Sequence, residues 1–486
     1  MRDAGIAVRS NLRIFADPSR VITRLFIPGK ELVGGSEART SETIARVLAL
    51  SESDVSSELN DLTDRFSKRH EDIEADFDRN AQRVSDYLVA PISPTRRQLL
   101  GAAFTHEYSL EGASVCNPSL VAHPDQVGVD DGALRVVMSY RSIGEGHLSC
   151  ICFRTGEIDA AGTLRFDEPH PFPVAATTSQ GPLRREVFRA KLRDSRFDDE
   201  TAALILMSLP ARFSTEQLDA AITRPATHSD TRQNVAETAG VLRSMSERFY
   251  VATFARDVDL SRRVLWPSTA GESAGVEDAR FVKIEDDDLD HYVATYTAYD
   301  GRHVSQQLLE TDDFATFSSS PLAGRGAQNK GLAVFPRRVG GRFVALSRYD
   351  RESNAIAFSS DIHHWDQVST LQIPDASWEM LQLGNCGSPI ELPEGWLVIT
   401  HGVGPMRTYA LGALLLDLND PTKVLARLSK PLLIPNADEQ DGYVPNVVYS
   451  CGSLVHAGTL YLPYGIADQS ISYCTVVVKD LLSAMR

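Results

Sequence analysis

The feature that most constrains this chain is a hairpin pattern that recurs along much of its length. Asp278 precedes Arg280-Phe281-Val282-Lys283-Ile284, an acidic turn, and then Tyr292 to Ala298. Asn329-Lys330 precedes Leu332 to Pro336, a Gly340-Gly341 turn, and Arg342 to Arg348. Gly387-Ser388-Pro389 precedes Ile390-Glu391-Leu392, a Pro393-Glu394-Gly395 turn, and Trp396 to His401. Val444-Pro445-Asn446 precedes Val447-Val448-Tyr449 and then Thr459 to Tyr464. Asn117-Pro118, with a strand that ends at Arg141, supplies a fifth copy. The arms read as strands and the Gly- and Pro-containing segments between them as turns. From Asp278 onward the copies step by about 50 to 60 residues, the length of a propeller blade. The expected fold is mainly β: a five-bladed β-propeller with an N-terminal helical arm and a helical insertion. A β-sandwich with hairpins at chance spacing is the competing fold.

The remaining segments change period. Residues 1 to about 30 alternate like strands, ending in Val21 to Ile27. From Ser36 the spacing becomes helical, through Ile44, Val47, Leu48, then Val55, Leu59, Leu62, Phe66 after the cap candidate Ser51-Glu52-Ser53-Asp54. Residues 1–105 are therefore read as an N-terminal strand and helical arm, and 106–486 as the propeller domain. A helical insertion falls at about 180–245, with a polar loop at Thr227-His228-Ser229-Asp230. The 486 residues carry 49 Lys and Arg against 65 Asp and Glu, a net charge of −16. That balance argues against nucleic acid and anionic membranes as partners. The sequence contains no apolar run of membrane-spanning length and no signal-peptide pattern at Met1 to Gly5. Its six cysteines form no CxxC pair, which fits reduced thiols in a cytoplasmic protein and gives no metal site. No organic cofactor is implied. The arm makes a homo-oligomer conceivable.

Each copy has a polar marker where its first strand starts (Asn117, Asp278, Lys330, Ser388, Asn446) and another where its second ends (Arg141, Thr297 to Tyr299, Arg348, His401, Tyr464). In an antiparallel hairpin these two places are adjacent. Around a propeller they converge at the mouth of the central channel. One carboxylate, Asp278, then faces Arg141, Lys330, Arg348, His401 and Tyr464, with Asn117, Asn385 and Asn446 as amides for hydroxyl groups. Convergent cations opposite a carboxylate suit an oxyanion and a polyhydroxylated substrate. Taken singly, each residue has a plainer use: Arg141 and Arg348 as edge ion-pair partners, His401 as a satisfied structural histidine, Tyr464 as packing, Lys330 as a solvated lysine, Asp278 as a turn anchor.

At these residues the chain resembles the β-mannoside phosphorylases and β-mannosidases of glycoside hydrolase family 130. The matching stretches are Gly275-Val276-Glu277-Asp278-Ala279-Arg280, Asn329-Lys330 through Phe335-Pro336, Gly387-Ser388-Pro389-Ile390, His401-Gly402-Val403 and Tyr464-Gly465-Ile466-Ala467-Asp468, with Tyr140-Arg141 at the first blade. The resemblance covers about residue 105 onward. The family has Pro where this chain has Ala279. It implies a five-bladed propeller and an inverting reaction at the anomeric carbon of a β-linked mannose, with Asp278 as proton donor. Arg141, Lys330, Arg348, His401 and Tyr464 would hold inorganic phosphate as co-substrate. Arg280 and Asp468 match sugar-contacting positions of the family, and Asn117, Asn385 and Asn446 from the repeat, with Asp350, complete the expected sugar contacts. The expected activity is phosphorolysis of β-linked manno-oligosaccharides to α-mannose 1-phosphate. A hydrolase would need a second carboxylate about 6.5–9.5 Å from the acid, for which Glu272, Glu277 and Asp350 are the candidates. A carbohydrate- or protein-binding propeller without catalysis is the reading from another class.

Overall fold

The computed structural model describes residues 3–28, 38–88, 90–223, 232–286 and 289–485. The chain separates into two compact units, one of residues 17–112 and 170–174 and one of residues 1–16, 113–169 and 175–486. The expected arm of residues 1–105 is therefore not one body. Val8–Arg9 pairs with Thr475 and Cys474, and Ile14–Phe15 with Ile471 and Ser470, so the first residues extend the last sheet of the larger unit.

The smaller unit packs four helices, Ala38–Ala49, Glu52–Phe66, Ile73–Arg83 and Pro94–Ala103, with the strand pair Val21–Leu25 and Thr105–Ser109. Local chemistry sets the helix ends. The side chain of Ser51 accepts the Asp54 amide, that of Asp72 the Ala75 amide and that of Ser93 the Arg96 amide, with Pro94 opening the last helix. At the other end of the first helix, Arg96 donates to the carbonyls of Val47 and Leu50 and pairs with Glu52. Gly101 lets two helices touch: a Cβ there would lie 1.8 Å from the Phe77 carbonyl oxygen.

The larger unit is mainly β. Among the described residues it holds five sheets of four to six strands. Their meanders run Ser114–Ala122, Leu134–Ile143, Ser149–Ile158; Gly275–Asp286, Leu289–Tyr299, Val304–Thr311, Thr316–Pro321; Ala333–Val334, Phe343–Ser347, Asn354–Ser359, Gln367–Gln372; Gln382–Asn385 with Ile390–Leu392, Gly395–Val403, Tyr409–Leu416, Val424–Arg427; and Val448–Tyr449 with Leu454–His456, Thr459–Ile466, Ser470–Val477. Neighbouring strands in these meanders are antiparallel. Both faces of a sheet are covered, so a strand such as Gly395–Val403 is buried along its whole length. Val121, Ile151 and Phe153 of the first sheet meet Phe281, Ala294 and Tyr296 of the second. Val282 and Val293 of the second meet Val334, Phe343 and Ala345 of the third. Val344 and Leu346 meet Trp396, Val398 and Leu414 of the fourth. Leu397, Leu411 and Ala413 meet Val448, Leu460 and Leu462 of the fifth. Tyr461 and Tyr473 of the fifth donate to the Gly162 and Leu164 carbonyls at the edge of the first.

The helical insertion consists of Arg185–Ser195, Glu200–Met207, Thr215–Thr223 and Arg232–Ser246 around Phe188, Leu192, Leu242 and Phe249. The expected loop at Thr227 to Asp230 lies outside the described residues. The insertion leaves between two outer strands of the second sheet, Thr177–Gln180 and Tyr250–Thr253, whose residues Gln180 and Tyr250 are direct cross-strand partners. It reaches the segment that joins the second sheet to the third through Lys191 donating to the Leu322 carbonyl and the Gly324 amide donating to Asp194.

Trp396 sits between the third and fourth sheets with no exposed surface, edge-on to Phe335 at 5.0 Å, its indole N–H on the Leu418 carbonyl. Trp396→Ala should lower the unfolding free energy by about 3–5 kcal/mol in chemical denaturation, because the large cavity cannot collapse between two sheets.

Candidate functional site

In four of the five sheets the first strand is broken. In the first sheet the ladder shifts register between Cys116 and Ser119, in the second between Glu277 and Arg280. The residues at these shifts, Asn117 and Asp278, have φ of 51° and 58°, and Asn329 ahead of the third sheet has 66°. Asn and Asp tolerate this left-handed backbone better than other non-glycine residues. Gly387, with φ 106°, fills the break in the fourth sheet. In the fifth it lies between Tyr449 and Leu454. The interruption turns side chains of the flanking residues toward a common cavity.

That cavity, about 650 Å³, takes lining residues from all five sheets and their loops. Asn117, Asp278, Arg280, Lys330, Arg348, His401 and Asp468 line it, as the sequence led one to expect. Asp278 is surrounded there by charged groups. Asn117 Nδ2 donates to Asp278 Oδ1 at 2.5 Å, and Arg141 Nη1 is 3.8 Å from the same oxygen. Burial pushes this carboxyl up, but the charges of Arg141 and Lys330, the Asn117 hydrogen bond and Arg280 together bring it below its ordinary value. The neighbouring Glu277 carboxylate receives Arg141 Nη2 at 2.7 Å and Lys330 Nζ at 2.6 Å. Arg280 is buried, with Nη1 on Asn385 Oδ1 at 2.5 Å and Nη2 on the Tyr449 hydroxyl at 2.8 Å.

On another wall, Arg348 and His401 lie against Gly384: a Cβ there would be 2.4 Å from Arg348 Nε and 2.8 Å from the imidazole Cε1. His401 Nδ1 is 3.1 Å from the Asn385 carbonyl, which can only accept, so Nδ1 carries the proton. Burial and then the charges of Arg348 and Arg280 hold the imidazole well below its ordinary pKa, hence neutral. Nε2 is left with a lone pair, buried and without a hydrogen-bond partner, as is Arg348 Nε.

Several expected site residues stand elsewhere. Arg141 is not on the cavity wall but behind it, tied to Glu277. Tyr464 is in the fifth sheet's core and donates to the buried Glu439, which Arg9 also contacts. The tyrosines that reach the cavity are Tyr449 and Tyr409. Asn385 is fully buried and acts by holding Arg280 and the Gly331 carbonyl. Asp350 caps its own turn, accepting the Glu352 and Ser353 amides. Asn446 precedes the short strand Val448–Tyr449, one half-strand ahead of the break, so its neighbours Val444 and Val447 line the cavity and it does not. Ser388 lines a second cavity, of about 340 Å³, at the other end of these strands. Glu272 is held by the Tyr250 and Tyr296 hydroxyls and the Ser268 amide. Sequence reasoning missed Arg302, His303, Arg351 and Arg407, which line the rim. A signal was present: each lies in the turn just past the second strand of its hairpin.

Asp468 faces Asp278 from the fifth sheet. Burial first, and then the Asp278 charge, push it up to about 6 against Arg141 and Arg407. This folded-state value lies above the ordinary 3.8, so folding favours the protonated form. That contribution is complete below pH 3.8 and lost as pH rises through about 6. Asp468→Asn should therefore raise the unfolding free energy by about 2–3 kcal/mol at pH 8 and leave it unchanged near pH 4, in denaturant melts at the two pH values.

The family model described as beta-1,4-mannooligosaccharide phosphorylase matches residues 257–486. A 1,2-beta-oligomannan phosphorylase of Thermoanaerobacter sp. (strain X514) is 35% identical over 233 residues, covering 46% of this chain and 75% of the relative. A beta-1,2-mannobiose phosphorylase of Listeria innocua serovar 6a is 34% identical over 231 residues, covering 46% and 63%. Among solved structures, a beta-1,2-mannobiose phosphorylase from Listeria innocua aligns over 76% of this chain and 93% of its own, at 23% identity and a TM-score of 0.44. The chain belongs to glycoside hydrolase family 130.

Proposed function

We propose that this enzyme phosphorolyses β-linked manno-oligosaccharides with inversion, releasing α-mannose 1-phosphate, and that its five sheets are the blades of a propeller whose channel mouth is the site. The observation that carries the reaction is the character of the cavity wall. The buried Arg348 Nε and His401 Nε2 lack partners, and Arg302, Lys330, Arg351 and Arg407 share the lining with them. Phosphate is already an anion, so it needs cations to hold it near the anomeric carbon rather than a base to activate it. Asp278, ionised before phosphate binds, takes up a proton as the charge of bound phosphate raises its pKa, and passes it to the leaving oxygen while a phosphate oxygen attacks from the opposite face. The neutral His401 can accept from a P–OH group but cannot donate through Nε2, which selects a phosphate that still carries a proton. The names of the relatives support mannosides as substrates and phosphate as acceptor. Six buried free cysteines fit a cytoplasmic setting, and among the described residues no helix is long and apolar enough to cross a membrane.

Hydrolysis is the second reading, favoured by one feature: Asp468 is a further carboxylate on the wall. Glu277, Glu272 and Asp350 are less suited to it, since each is already engaged by cations, hydroxyls or amides. Incubation of the protein with β-1,2- and β-1,4-mannobiose, with and without inorganic phosphate, separates the two by ³¹P NMR of the sugar phosphate. Phosphate-dependent cleavage is expected, and equal cleavage without phosphate would sink the proposal. Asp278→Asn should lower turnover by about 10²–10⁴-fold, the range for loss of a positioned acid.

A further inference from the structure

The cations of the cavity fall into two tiers. Arg280 and His401 are buried, and Lys330 and Arg348 half-buried. These inner groups lie close together. A Cβ on Gly331 would be 3.2 Å from Arg348 Cδ and 3.4 Å from Arg280 Nη2, and one on Gly384 would be 2.4 Å from Arg348 Nε and 2.8 Å from His401 Cε1. Arg302, Arg351 and Arg407 are exposed and form an outer tier, on the turns that follow the second strands of the second, third and fourth sheets. Among the described residues none of the three pairs with a carboxylate: Arg351 Nε donates to Asn329 Oδ1 at 2.7 Å, and the Arg407 guanidinium lies 6.0 Å from the centroid of the Tyr409 ring. Arg351 and Arg407 have φ of 69° and 54°, a region that glycine or asparagine fills with less strain. A turn that only reversed the chain would be better served by glycine, as at Gly301. The equivalent turn of the fifth sheet carries Asp468 instead, so the cationic side of the mouth belongs to the second to fourth sheets. In a chain of net charge −16, six Lys and Arg against two Asp line this one cavity.

Phosphate carries roughly two charges near neutral pH, which Lys330 and Arg348 of the inner tier match. The outer arginines are surplus to it. Phosphate attacks the anomeric carbon from the face opposite the leaving oxygen, so the leaving sugar lies away from the inner tier and toward the exposed turns. We propose that Arg302, Arg351 and Arg407 recognise a negative charge on that leaving sugar, and that the preferred substrate is a β-mannoside whose mannose is joined to a sugar bearing a carboxylate or a phosphate monoester. This rests on the phosphorolytic reading above. A guanidinium presents paired N–H donors that fit either group. Exposure keeps each contact weak, a factor of about two to three per arginine, and the three together give about tenfold.

The test runs the reaction backward. The mannosyl group passes from α-mannose 1-phosphate to an acceptor hydroxyl, the C1–O bond to phosphate breaks, and Asp278 takes the hydroxyl proton. The readout is kcat/KM for mannose, mannuronate and mannose 6-phosphate as acceptors, together with the KM for phosphate in phosphorolysis. Wild type is compared with the triple variant Arg302→Gln, Arg351→Gln, Arg407→Gln. Wild type should favour an anionic acceptor over mannose by about tenfold at low salt, and the two anionic arms tell carboxylate from phosphate ester. In the variant the preference should fall to about one. Equal use of the three acceptors by wild type overturns the proposal. So does a variant that raises the KM for phosphate and keeps the acceptor preference, because the arginines then serve phosphate. Should the variant fail to fold by circular dichroism, salt decides on wild type alone: the preference should shrink between about 20 and 300 mM NaCl, and an unchanged preference overturns the proposal. Wild type that transfers mannose to none of the acceptors overturns the phosphorolytic reading. Calorimetric titration of wild type and variant with mannuronate then decides the outer tier, tighter binding by wild type supporting it and equal affinity overturning it.

Discussion

The site depends on a break in hydrogen bonding. A regular first strand would alternate its side chains between two neighbouring sheets and leave the middle of the molecule lined by backbone. A residue forced out of register at Asn117 and Asp278 ends that alternation and frees a side chain to turn toward the cavity. The left-handed conformation costs roughly 1 kcal/mol or more for a non-glycine residue. The burial of whole strands between sheets offsets it. The same residues that carry the backbone distortion, Asn117 and Asp278, then form the shortest hydrogen bond to the acid. Distortion and function share one position, so neither can drift without the other.

Around Asp278 every cation has a carboxylate or an amide to answer it: Arg141 and Lys330 have Glu277, and Arg280 has Asn385. Unsatisfied buried polar atoms lie on both sides, Arg348 Nε and His401 Nε2 on one and Arg141 Nε and Asn117 Oδ1 on the other. Burial makes them matter, since an unpaired polar atom out of contact with water is costly until a ligand meets it.

The hairpin repeats were legible because strand period and turn residues are local properties. Asp278, Lys330, Arg348 and His401 followed from them, since the ends of paired strands must lie together. What was not legible depended on longer geometry. Tyr464 and Tyr449 are both tyrosines near a strand end, and only the sheet's facing decides which reaches the cavity; the strap formed by Val8–Arg9 and Glu439 claims Tyr464. Asn446 looked like the fifth marker, but in the fourth and fifth sheets the break divides the first strand into two short ones, which shifts the alignment by a half-strand. Asp350 was taken by its own turn. The rim arginines were overlooked because the repeat was followed to the strand end and not one turn farther. The strand pairing of residues 8–15 joins the two ends of the sequence, which no local period can reveal.

The insertion meets the second sheet at Gln180 and Tyr250, opposite each other on one rung of the ladder. To the sheet, everything between them is a hairpin loop. Loop-closure entropy grows only with the logarithm of length, so such a loop can lengthen or shorten at little thermodynamic cost to the strands it joins. The helical segment is therefore modular in the engineering sense: it could be exchanged for a two-residue turn with the register of the second sheet, and hence Asp278, left in place. The frame around Asp278 is indifferent to what the graft carries, because the graft point is a single pair of facing residues.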